Sequence, residues 1–153
     1  MINEVFYSSP LGILKITSTD YKLQKIELVE SSTMFDCSTF NYRVLDNLDE
    51  YFEGKLRTFN IPFEFPGTTT FEKRVYDKLQ HVRYGKTVTY KELAAMLGEP
   101  KSYRAVANAC AKNPLPLIIP CHRVVRSDGK VGDYNLGGSK NKQYLLDLEK
   151  KFS

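Results

Sequence analysis

Apolar and polar positions alternate in three short runs at the start of the chain, Glu4–Tyr7, Ile13–Thr17 and Leu23–Val29. Turn-forming residues, Ser8–Gly12 and Ser18–Tyr21, separate them, so the pattern predicts an antiparallel meander. The period then changes. Val44, Leu45, Leu48, Tyr51 and Phe52 follow helical spacing, and Gly54 is placed to end that helix. Pro62, Pro66 and Gly67 mark a connector, which divides the chain into an N-terminal α/β domain, 1–66, and a second domain, 67–153. Beyond it the signals are helical. Thr69-x-x-Glu72 is a capping box ahead of Phe71, Val75, Leu79 and Val82, with Gly85 expected to close the helix. Thr89-x-x-Glu92 repeats the device ahead of Leu93 and Leu97, closed by Gly98, and Ser102 is expected to cap a third helix reaching Lys112. A last helix spans roughly 140–151. The fold class is α+β: a small antiparallel sheet with one helix, then a mainly helical domain. Two short helices joined by a tight turn read as a winged-helix-like helix-turn-helix or as a plain helical hairpin.

Composition narrows the class. The 153 residues are 42% apolar and 26% charged, as in ordinary globular proteins. No apolar run approaches the ~18–20 residues of a membrane span. The start, Met1-Ile2-Asn3-Glu4, lacks the basic and apolar regions of a secretory signal, so a cytoplasmic protein with three reduced cysteines is expected. Charge is uneven. Residues 1–66 hold 6 Lys/Arg against 10 Asp/Glu, while residues 67–153 hold 16 against 8. A basic second half suits a polyanion, though it also suits a merely solvated surface. On the third helix, Val106, Ala109 and Cys110 would face the core. Arg104, Ala107, Asn108 and Ala111 would form a small outer face able to approach a groove closely.

Chemistry concentrates in Ile119-Pro120-Cys121-His122-Arg123-Val124-Val125. A thiol beside an imidazole and a guanidinium is expected to ionise more easily, and the thiolate is the nucleophile. Prolines 114, 116 and 120 are expected to hold the preceding stretch extended. Glu149 falls at the edge of the apolar stripe Leu145, Leu148 and Phe152. It is either a surface residue or, if buried, a partner for His122, since a carboxylate can orient an imidazole that takes a proton from a thiol. Cys37 and Cys110 read as packing residues and His81 as a surface histidine. No Cys-x-x-Cys or His-x₃-His spacing occurs, so no metal site is expected. A Cys–His hydrolase and a regulator without chemistry remain alternatives on the residues alone.

The run from Asn113 through Val125, with Gly85-x-x-x-x-Tyr90, Arg104-Ala-Val106, Gly132-x-Tyr134 and Leu145-Leu146-x-x-Glu149, closely resembles the O6-alkylguanine-DNA alkyltransferase family. The likeness extends from Phe71 to Glu149, and residues 1–66 match only in layout. The resemblance implies direct-reversal repair, in which an alkyl group passes from O6 of guanine, with O4 of thymine as an open second substrate, onto Cys121. It implies a relay of His122, through a water, and Glu149, with Asn113 tying the active-site turn to the helix-turn-helix. Tyr90 would donate to the flipped guanine, Arg104 would fill the vacated stack, and Lys91 and Ser127 would contact the DNA backbone. Ala107 and Asn108 would lie on the helix entering the minor groove. Groups around Val124, Tyr134 and Asn135 would hold the base. The implied protein is a monomer on double-stranded DNA, without cofactor or membrane, in the cytoplasm and on the nucleoid in a prokaryote. One departure is visible: Tyr134-Asn135-Leu136-Gly137-Gly138 carries one residue more than the family's usual tyrosine loop. A second is Ala107, where many members have glycine.

Overall fold

The computed structural model describes residues 2–30 and 39–153. They fall in two compact units, Met1–Pro66 and Gly67–Ser153. In the first, β1 (Asn3–Ser9), β2 (Gly12–Ser18) and β3 (Leu23–Val29) form an antiparallel sheet in the order β1-β2-β3. The alternation fixes the register: Val5 pairs with Ile16, and Ile16 with Ile26, so the apolar side chains share one buried face. Helix α1 (Thr39–Phe52) buries Val44, Leu48 and Tyr51 at helical spacing. It ends where expected. Gly54 takes a left-handed φ of 79°, and the Lys55 N–H closes back onto the Glu50 carbonyl. Cys37 lies outside the described residues.

The second unit holds α2 (Thr70–Leu79), β4 (Val88–Thr89), α3 (Tyr90–Met96), α4 (Tyr103–Ala111), β5 (Val124–Val125) and α5 (Gly138–Phe152). Both capping boxes form as read: Thr69 with Glu72, and Thr89 with Glu92, each with reciprocal bonds. Three expectations change. Helix α2 ends at Leu79, well before Gly85, whose left-handed turn (φ 77°) belongs to the following loop. A Cβ at Gly85 would lie 2.6 Å from the Ser153 Cβ, so the loop depends on glycine there. Ser102 makes no side-chain cap, because a 3-10 turn, Pro100–Ser102, leads into α4 and places Ser102 at φ −89°, ψ 20°, outside capping geometry.

The third change concerns the proline stretch, which is folded back on itself. The Ile119 N–H bonds the Leu115 carbonyl, and Leu117 sits at φ 79° while fully buried. A left-handed non-glycine residue costs of order 1–3 kcal/mol and persists only where packing over-determines it. Here Leu115, Leu117 and Ile119 all enter the core. Among the described residues no helix is long and apolar enough to cross a membrane.

Candidate active site

Two strands too short for any sequence signal bring the site together. β4 runs parallel to β5, pairing Val88 with Val124 and Thr89 with Val125. The start of α3, and therefore Tyr90, is thereby set beside the turn that carries Cys121. That turn is a 3-10 helix, Cys121–Arg123, with all three side chains buried. Asn113 anchors it. Its amide donates to the Ile119 carbonyl at 2.9 Å and its oxygen accepts from the Leu115 N–H at 3.0 Å. The same side chain bonds the Cys121 thiol, and the Asn135 amide donates to the Asn113 carbonyl at 2.9 Å.

A cavity of about 450 Å³ opens onto the thiol. Of the residues singled out from the sequence, Tyr90, Ala107, Asn108, Cys121, Tyr134 and Asn135 line it. Cys110, Ala111, Arg126, Gly132 and Asp133 complete the wall. Val124 is buried behind it in β5. Arg104, Lys91 and Ser127 are exposed and stand outside the wall, Lys91 with its ammonium 5.4 Å from the centre of the Tyr103 ring.

Behind the thiol the two readings of Glu149 are separated. Glu149 is 1% exposed and accepts hydrogen bonds from His122, Arg123 and Gly85. His122 Nε2 lies 2.6 Å from Oε2, Arg123 donates through Nε at 2.8 Å and Nη2 at 3.1 Å, and the Gly85 N–H donates at 3.2 Å. Burial alone would push the carboxyl up, but bonds and charge from His122 and Arg123 outweigh it and hold Glu149 well below the usual carboxylate range. Burial holds His122 below its ordinary value, with Glu149 pulling the other way. An imidazole whose Nε2–H faces a carboxylate keeps its lone pair on Nδ1, the nitrogen able to accept a proton.

The thiol itself departs from expectation. Burial pushes Cys121 up to about 11, opposed by the Asn113 bond and the charge on Lys142. The neighbouring guanidinium does not lower it, because Arg123 spends its donors on Glu149 and on the Val82 carbonyl at 2.7 Å. The cation that reaches the thiol is Lys142. It is fully buried, donating to the Asp133 carbonyl at 3.2 Å and the Tyr90 hydroxyl at 3.4 Å, with its ammonium 5.5 Å from the Tyr90 ring centre. A Cβ at Gly132 would meet this ammonium at 3.5 Å. Sequence reasoning missed both Arg123's role and Lys142. The signal for Lys142 was its spacing: Lys142, Leu145 and Glu149 share the buried face of α5.

The comparisons with known proteins agree with this geometry. Residues 70–151 match the family described as 6-O-methylguanine DNA methyltransferase, DNA binding domain, and residues 2–65 match its ribonuclease-like domain. The chain belongs to the 6-O-methylguanine DNA methyltransferase family. It is 36% identical to a methylated-DNA–protein-cysteine methyltransferase of Methanosarcina barkeri, over 92% of each chain. It is 38% identical to a probable one of Acanthamoeba polyphaga mimivirus, also over 92% of each chain. The crystal structure of the Mycobacterium tuberculosis O6-methylguanine methyltransferase superposes with a TM-score of 0.89 at 33% identity, over 100% of this chain and 95% of that one. The same mycobacterial protein in complex with DNA gives 0.89 at 34% identity, over 98% and 94%.

Proposed function

We propose that this member of the methyltransferase family repairs DNA by direct reversal, taking an alkyl group from O6 of guanine onto Cys121 in one irreversible step. The observation that carries the assignment is a buried thiol at the floor of a cavity, backed by a hydrogen-bonded His122–Glu149 pair. A guanine inside a duplex cannot reach such a floor, so its nucleotide must be flipped out, at a cost of a few kcal/mol. The basic second unit supplies sequence-independent affinity through phosphates.

The chemistry follows from the resting state. Burial raises the thiol, so it rests protonated at pH 7 and needs a base to become the nucleophile. The proton leaves toward His122 Nδ1, and the anionic Glu149 stabilises the imidazolium that forms. The thiolate sulfur attacks the alkyl carbon, the C–O6 bond breaks, and the electron pair returns to the base. Tyr90, poised by Lys142, donates to the leaving base. Asn113 holds the turn, and Val124, Tyr134 and Asn135 border the base. Arg104 takes the place of the extruded nucleotide, Ala107 and Asn108 face the groove, and Lys91 and Ser127 meet the backbone. The protein works on double-stranded DNA in the cytoplasm.

A thioether offers no ready leaving group, so each molecule acts once. Titrating methylated duplex against a known amount of active protein should give product that stops at one equivalent. Continued accumulation beyond it would point instead to a turning-over Cys–His enzyme. Arg104→Ala is expected to slow repair in duplex about tenfold or more, because only duplex demands extrusion, which costs a few kcal/mol. Transfer from a free modified guanine should change much less. Equal losses on both substrates would leave Arg104 as a support for the fold.

A further inference from the structure

The structure carries one polar atom at the site that the mechanism above does not use, the hydroxyl of Tyr134. Tyr134 is 8% exposed, and its hydroxyl oxygen is buried without a hydrogen-bond partner among the described residues. A buried, unsatisfied hydroxyl costs about 1–3 kcal/mol, so its retention needs a reason. Its surroundings supply one. Tyr134 lines the same cavity as Cys121, and its ring stands edge-on to His122, with centroids 6.3 Å apart. Charge on Cys121 and on Glu149 both act on the phenol, so the group sits within electrostatic reach of both ends of the relay. Burial and those two anions hold the phenol well above its ordinary value. It therefore keeps its proton at working pH and has that proton to donate.

We infer that the Tyr134 hydroxyl donates a hydrogen bond directly to the Cys121 sulfur as the thiol's proton departs. Other polar groups around this thiol already have partners in the resting protein. Asn113, just past the end of α4, bonds the Ile119 carbonyl and the Leu115 N–H and already reaches the thiol. Lys142 from α5 bonds Asp133 and Tyr90, and Glu149 bonds His122 and Arg123. Tyr90 from α3 accepts from Lys142, and Arg126 pairs with Asp128 at 2.8 Å. Cys110 is a second buried thiol, pushed up by burial and by Cys121, and offers no charge. The Tyr134 hydroxyl has no partner at rest among the described residues and gains a strong acceptor when the sulfur ionises. Such a bond lowers the barrier more than it stabilises the resting state, the pattern expected of preorganised electrostatic stabilisation.

The inference rests on the assignment of Cys121 as nucleophile but not on DNA as substrate, and the experiment keeps the two apart. Wild type and Tyr134→Phe are treated with iodoacetamide across pH 6–9, and modification of the Cys121 peptide is followed by mass mapping. Phe removes one oxygen and keeps the ring. The rate should fall about tenfold at every pH in this range, the pH–rate profile being displaced by about one unit, as loss of one charge-assisted hydrogen bond requires. Because the hydroxyl is unsatisfied at rest, the melting temperature should hold or rise. An unchanged pH–rate profile overturns the inference, and so does a lower melting temperature or failure to fold, since the hydroxyl would then be bonded in the resting protein. Wild-type transfer from methylated duplex is run in parallel. Its absence would refute the repair function and leave the Tyr134 result standing.

Discussion

Cys121→Ala is expected to transfer no alkyl group at all while still binding methylated duplex. The thiol is 4% exposed at the floor of the cavity, so it contributes almost nothing to a docking surface. Affinity for the duplex, carried by the exposed basic surface, should therefore be largely kept. Transfer has no second acceptor of equal standing. Cys110 also lines the cavity, but burial raises it even further than Cys121. It has neither the Asn113 bond nor a histidine behind it. Peptide mapping of the wild type after reaction should find a gain of one CH₂ on the Cys121 peptide alone. A methyl on the Cys110 peptide, or residual transfer by the alanine variant, would sink the assignment.

Local signals carried far into this fold. Two capping boxes, a glycine C-cap at Gly54 and an alternating sheet register were legible because each is set by residues a few positions apart. The Cys121–His122 pair and the faces of α4 were legible for the same reason: Val106, Ala109 and Cys110 are buried and Arg104 and Asn108 exposed. What failed depended on burial. The thiol was expected to gain from its neighbours in sequence, yet desolvation dominates and the adjacent guanidinium turns to Glu149, 26 residues away. Lys142 could not be found by charge pattern, since a lysine on a helix is ordinarily solvated and this one is fully buried. The parallel β4–β5 pair, two residues each, carries no periodicity at all, yet it sets Tyr90 beside the reactive turn. The extra residue at Leu136 is absorbed locally: Leu136 is 1% exposed, and its carbonyl accepts from the Asn141 amide at 2.7 Å.

Glu149→Gln should lower both activity and stability, and pH separates the two effects. In the folded protein the carboxylate balances Arg123 and orients His122, so its charge is buried with its partners. Removing one member of a buried ion pair typically costs about 3–5 kcal/mol, because the other is left uncompensated. Glutamine keeps one acceptor oxygen for Arg123 but loses the charge that stabilises the imidazolium. Alkylation near neutral pH should therefore slow by about a hundredfold, the usual size of a general-base contribution. The sign of the stability effect follows from the shifts. Glu149 is held below its usual value when folded, so its contribution is fully present above pH ~4.5 and fades as pH falls below that. His122 is also held below its ordinary 6.5, so protonation of the unfolded chain draws stability away as pH falls through that range. Cys121 is raised to about 11, so its contribution is lost as pH climbs past the ordinary thiol value of ~8.5. The wild type should accordingly be most stable between about pH 6.5 and 8.5, and it should lose stability steeply in acid. The glutamine variant should melt lower at neutral pH and show a flatter acid limb, because the group that titrates there is gone. Melting curves from pH 3 to 10, paired with single-turnover alkylation rates, test this directly. Equal acid limbs in the two proteins would mean that the Glu149 charge does not hold this cluster together.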